Sequence, residues 1–120
     1  MTPQPFSIDT LLERVAAEDA SDLHITAGSA PVLRVRGTLA PLEEFEAFAP
    51  EETRDLLYRI LSTEQQKRLE IDRQLDFSYS VPGVARFRVN VYFQRDSLAA
   101  AFRLVPRMIK SAQELGLPEV

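Results

Sequence analysis

Between Ala85 and Phe93 the odd positions Ala85, Phe87, Val89, Val91 and Phe93 are apolar, and Arg86, Arg88, Asn90 and Tyr92 lie between them. This period of two predicts a strand with one buried face. A second run alternates in the same way, with Leu98, Ala100, Phe102 and Leu104 on one face and Ala99, Ala101, Arg103 and Val105 on the other. Gln94-Arg95-Asp96-Ser97 between the runs reads as a hairpin loop, without a glycine to fix its type. For both apolar sets to share a face, odd residues of the first strand must pair with even residues of the second. If the loop residues are all unpaired, Phe93 faces Leu98 and Arg88 faces Arg103. A slip by two residues brings either Arg86 or Asn90 opposite Arg103 instead.

The same patterning divides the rest of the chain. Ser7 caps a helix whose stripe is Ile8, Leu11, Leu12, Val15 and Ala16, and Glu18 to Ser21 ends it. Asp22 to Ala27 alternates, with Leu23, Ile25 and Ala27 inward and Asp22, His24 and Thr26 outward. After a turn at Gly28 to Pro31, Val32 to Arg36 places Leu33 and Val35 inside and Arg34 and Arg36 outside. Gly37 turns the chain into a short strand around Thr38 to Ala40, and Pro41 to Ala49 is an acidic connection.

Pro50, followed by Glu51 and Glu52, opens a helix with Thr53, Leu56, Leu57, Ile60 and Leu61 inward. Ser62 with Gln65, or Thr63 with Gln66, resembles a capping box for a more polar helix to about Ile71. Leu75 to Val81 returns to strand. A two-residue loop at Pro82-Gly83 would set apolar against polar residues, so a three-residue loop or a bulge is expected, with Phe77 near Val89. Pro106 ends the sheet, and Ser111 with Glu114 caps a single helical turn closed by Gly116 and Pro118. The order of elements predicts an α+β domain, a mostly antiparallel sheet with helices packed on one face.

Composition narrows the chemistry. A chain of 120 residues makes one domain with a full core. It has no cysteine and one histidine, so a disulfide framework, a cysteine zinc site and a multi-histidine metal site are all excluded. No apolar run is long enough to span a membrane, and the first residues lack the pattern of a signal peptide. A net charge of −4 and a pI near 5.0 argue against general nucleic-acid affinity. Neither Lys67 nor Lys110 follows a glycine, so there is no Gly-x-x-x-x-Gly-Lys phosphate loop, nor is there a Gly-x-Gly-x-x-Gly. The acidic residues form no convincing acid-base pair. His24 reads as a structural or surface residue, and Arg34 and Arg36 as a solvated face or a subunit contact.

The suggestive feature is the arginine face of the hairpin. Like charges directly opposite cost a few tenths to about 1 kcal/mol, so folding alone does not favour the pair. A paired guanidinium fork suits a multiply charged oxyanion. The alternative is that Asp or Glu from a neighbouring strand or a second chain neutralises it.

Ala20-Ser21-Asp22-Leu23-His24-Ile25-Thr26-Ala27-Gly28-Ser29-Ala30-Pro31, followed by Arg34-Val35-Arg36-Gly37, resembles the start of the type IV pilus retraction ATPases, the twitching-motility family. Leu75-Asp76-Phe77-Ser78-Tyr79, Arg86-Phe87-Arg88-Val89-Asn90, Phe102-Arg103-Leu104-Val105-Pro106 and Glu114-Leu115-Gly116-Leu117-Pro118 match in the same order, so the resemblance covers nearly the whole chain.

The resemblance implies that residues 1–106 form a PAS-like N-terminal domain. Residues 107–120 would be a linker toward a RecA-like ATPase domain that this sequence lacks, which makes the chain an excised domain or a truncated form. It implies an ATP hydrolase using ATP with magnesium in the intact protein, while this chain alone is expected to be non-catalytic and to hold no cofactor. It further implies a homo-hexamer, an inner-membrane pilus platform protein as partner, no nucleic-acid partner, and a cytoplasmic location at the inner face of the membrane. By the same resemblance Arg88 and Arg103 are the residues that act on the nucleotide phosphates as the two domains close, and Arg86 joins them in binding.

The pilus-assembly and type II secretion ATPases are the neighbouring families. Outside them, the competing readings are a PAS-like ligand sensor, a purely structural assembly module, and a single-stranded nucleic-acid platform built on Arg86, Arg88 and Tyr92.

Overall fold

The computed structural model describes residues 7–106. Three helices and six strands follow in the order α1 (Ile8–Ala17), β1 (Asp22–Ile25), β2 (Val32–Val35), β3 (Thr38–Pro41), α2 (Pro50–Tyr58), α3 (Thr63–Asp72), β4 (Gln74–Val81), β5 (Ala85–Gln94) and β6 (Ser97–Val105). The expected turn at Ser111 and Glu114 and the linker at 107–120 lie outside the described residues.

The helix starts follow from their caps. Ser7 Oγ accepts from the Thr10 N–H at 3.3 Å, and Ile8, Leu11, Leu12 and Val15 form the buried stripe of α1, whereas Ala16 is exposed. Pro50 stands at the first position of α2, and Glu52 reaches back to accept from the Ala49 N–H at 2.7 Å. Of the two alternatives for α3, the structure uses Ser62 with Gln65, each side chain bonding the other's backbone N–H. That helix is polar and buries only Leu69.

All six strands join one antiparallel sheet in the order β3-β2-β1-β6-β5-β4, which makes the domain α+β. Two meanders, one from each half of the chain, meet where β1 pairs with β6. Helix residues Leu11, Leu12, Leu57 and Leu69 share one core with Leu23, Leu33, Phe87, Val91 and Phe102 of the sheet. The helices cover that face, and the opposite face carries most of the polar strand positions and is partly open to solvent, with Asp22 and Ala99 buried on it.

The register of the last hairpin is the one with Phe93 opposite Leu98 and Arg88 opposite Arg103. Its loop is shorter than expected, because Gln94 also pairs with Ser97. Arg95 and Asp96 turn the chain alone, with φ of 55° and 68°, the type I′ geometry whose twist matches that of the strands. The β4–β5 loop is the expected three residues, since Val81 pairs with Ala85, and Phe77 faces Val89. Arg36 is not a strand residue. With φ of 51° it forms, with Gly37 at 80°, the two-residue turn between β2 and β3.

Candidate functional site

Residues directly opposite one another in an antiparallel sheet project to the same side, so the registers define rows across the open face. One row runs Arg34, Asp22, Arg103, Arg88 and Ser78, from β2 to β4. The next runs Val32, His24, Ala101, Asn90 and Asp76. Ala101 presents only a methyl group between His24 and Asn90. An open depression of about 490 Å³ lies over these rows, with Asp22, His24, Asp76, Arg88, Asn90 and Arg103 among its lining.

Arg88 is exposed and has no hydrogen-bond or ion-pair partner among the described residues. Arg103 has one. Its Nε donates to Asp22 Oδ2 at 3.3 Å, and its side chain remains 75% exposed while that of Asp22 is only 10% exposed. The other carboxylate oxygen accepts from Ser21 Oγ at 2.5 Å. Asp22 therefore lies beneath Arg103, held on both sides. Of the two readings for the arginine face, a neutralising carboxylate is present for Arg103, and none meets Arg88 among the described residues.

The contact to Asp22 uses a single N–H of the five that a guanidinium carries, and it is the one nearest the backbone. The terminal nitrogens of Arg103 have no partner among the described residues. Arg88, directly opposite Arg103 in the register, lines the same depression with its guanidinium unpaired among the described residues. The arrangement can therefore take up an oxyanion from outside the domain without displacing Asp22.

Arg86 is not brought into this depression. It shares the open face, but it pairs with Val105 and Ser80 and lines a separate groove with Pro82, Gly83 and Leu104. Arg34, on the far side of Asp22, donates through Nη1 to the Gly37 carbonyl at 3.2 Å and turns toward the β2–β3 connection. Asn90 Nδ2 donates to Asp76 Oδ1 at 2.8 Å, closing the β4 side of the depression. His24, read from the sequence as a bland surface residue, lines it. Tyr92 lies farther along β5, between Gln74 and Ala99.

Asp22 is the residue of this depression, bonded to Arg103, that sequence reasoning did not single out. Two signals pointed to it: its outward place in the alternation, and its place in the Ser21-Asp22-Leu23-His24 segment of the family resemblance. Among the described residues no group of three or more His, Asp or Glu could hold a metal ion, and no helix is long and apolar enough to cross a membrane.

No protein-family model matches the chain. It is similar to a type IV pilus retraction ATPase, PilT, of Pseudomonas aeruginosa, with 42% identity over 94% of this chain and 33% of that protein. It is also similar to the type IV pilus ATPase PilU of the same organism, with 30% identity over 93% of this chain and 29% of PilU. Among solved structures it resembles the pilus retraction motor PilT with bound ADP, at a TM-score of 0.80 and 40% identity, over 88% of this chain and 31% of that one. The chain thus spans about a third of the length of the relatives it matches.

Proposed function

We propose that this chain, which belongs to the type IV pilus retraction ATPase family as the counterpart of its N-terminal domain, presents Arg88 and Arg103 to the triphosphate of an ATP held by a RecA-like domain. That domain belongs to the same or a neighbouring subunit of a homo-hexamer. Residues 1–106 act as the PAS-like module and 107–120 as the linker. The phosphate cradle and magnesium ligands come from the RecA-like domain, because this chain has no phosphate loop. The whole motor works at the cytoplasmic face of the inner membrane, against a platform protein, and powers pilus retraction.

The observation that carries this reading is the direct pairing of Arg88 with Arg103 on an exposed face, with Arg88 unpaired and the terminal nitrogens of Arg103 unused among the described residues. Two arginines at directly paired positions of the unliganded domain repel one another, and an oxyanion taken up by both removes that repulsion. Closure of this domain onto the nucleotide is then favoured only while the terminal phosphate is present, which couples domain motion to hydrolysis. As charge develops on the transferred phosphoryl group, the same arginines stabilise it without reorganising.

Steady-state ATP hydrolysis by the full-length protein tests this. Arg103→Ala is expected to lower turnover by roughly 10²-fold or more while the domain keeps its fold and cooperative unfolding, with a small loss of stability from the Asp22 carboxylate left without its partner. A wild-type rate in that variant removes the role.

A further inference from the structure

We propose that Asp22 is the positioning residue of the anion site: it anchors Arg103 by Nε, so that the terminal guanidinium nitrogens face the anion beside Arg88. This rests on the reading of Arg88 and Arg103 as phosphate ligands and adds to it the group that fixes one of them.

A carboxylate next to an anion site opposes binding by its charge, and a desolvated one costs folding energy unless its oxygens are satisfied. Asp22 is both close and nearly buried, at 10% side-chain exposure, beside the exposed side chains of Arg103 and Arg88. Its two oxygens have separate tasks. Oδ1 is held by Ser21 Oγ at 2.5 Å, and Oδ2 receives Arg103 Nε at 3.3 Å.

Asp22 stands directly between two arginines in its row, Arg34 and Arg103. Only Arg103 is bonded to it, because Arg34 is committed to the Gly37 carbonyl. A bond through Nε fixes the plane of a guanidinium near its base and leaves the outer edge free. A bidentate pairing through the terminal nitrogens would occupy the edge that an incoming phosphate needs. Anchoring thus lowers the conformational entropy that a long, exposed arginine loses when it grips a ligand.

The test is titration of the 120-residue chain with inorganic tripolyphosphate, followed through arginine Nε–H resonances, in Asp22→Asn and Asp22→Ala variants. Both substitutions remove the same negative charge, so any difference between them reports positioning. In Asp22→Asn the side-chain oxygen still accepts from Nε, and binding is expected to be at least as tight as in the unsubstituted chain. Asp22→Ala is expected to bind about tenfold more weakly than Asp22→Asn, and that difference is expected to vanish once Arg103→Ala is present.

Equal affinities in Asp22→Ala and Asp22→Asn overturn the proposal. If Asp22→Ala fails to fold, Ser21→Ala serves in its place: it removes the second anchor and is expected to weaken binding about threefold, and unchanged affinity contradicts the proposal. Failure of the underlying reading looks different: Arg88→Ala and Arg103→Ala would then bind tripolyphosphate as the unsubstituted chain does, or that chain would not bind it.

Discussion

Tyr79 donates its hydroxyl proton to Asp9 Oδ1 at 2.6 Å, and the bond ties the edge strand β4 to the first turn of α1. Asp9 is well placed there, because a carboxylate in the first turn also meets the positive end of the helix dipole. Tyr79→Phe keeps the ring in place and removes the bond, so urea unfolding at neutral pH should show a loss of about 1 kcal/mol. No loss would mean that solvent already replaces the contact.

The same pair sets an alkaline limit. Burial, and then the hydrogen bond to Asp9, push the Tyr79 phenol up from 10.0 to about 12. A group whose folded pKa is raised contributes stability that is complete below its unfolded value and is lost as pH rises toward the folded one. Stability should therefore fall between pH 10 and about 12, and the Tyr79→Phe variant should lose less across that window. Parallel curves for the two proteins would contradict the assignment.

Arg95 and Asp96 adopt positive φ without being glycine, which costs about 1 kcal/mol or more at each site. Replacing them with Asn-Gly, the sequence that type I′ turns favour, should stabilise the domain by about 1 kcal/mol in chemical denaturation. The gain is reduced by loss of the exposed Arg73–Asp96 contact at 3.8 Å. A destabilised product would show that Asp96 contributes more than its geometry implies.

Arg14 on α1 bonds both Glu18, one turn on, and Glu44 of the acidic connection, and its hydrogen bond holds the Glu44 carboxyl below the usual range. These groups are substantially exposed, so Arg14→Ala should cost less than about 1 kcal/mol, and the difference should shrink at high salt. A large, salt-independent loss would point to packing of the arginine stem instead.

Alternation alone carried most of the sheet. The apolar positions of Phe87 to Phe93 and Leu98 to Leu104 admit three registers, with Arg88, Arg86 or Asn90 opposite Arg103, and the two-residue turn at Arg95 and Asp96 sets the one with Arg88. The same constraint ruled out a two-residue β4–β5 loop and left a three-residue loop or a bulge, of which the structure has the loop. What local pattern could not supply was the pairing of β1 with β6, which joins Asp22 to Arg103 across 81 positions. Without that register Asp22 is one outward polar residue among several, and Arg103 has no visible partner.

The turns escaped for a different reason. Arg36, Arg95 and Asp96 take up a left-handed conformation that their residue types do not advertise, and the strands on either side impose it. Arg86 illustrates the limit of likeness between sequences. It belongs to the same Arg-Phe-Arg segment as Arg88, but it lies two residues along the strand and borders a different groove.

The joint action of two arginines on one phosphate is tested most directly by a double-mutant cycle in the full-length protein, measuring ATP turnover for Arg88→Ala, Arg103→Ala and the pair. If both guanidinium groups grip the same triphosphate, Arg103→Ala should lower kcat by roughly 10²-fold or more and Arg88→Ala by about tenfold or more, and the double variant should lose less than the product of the two. Wild-type turnover in both single variants would contradict the account.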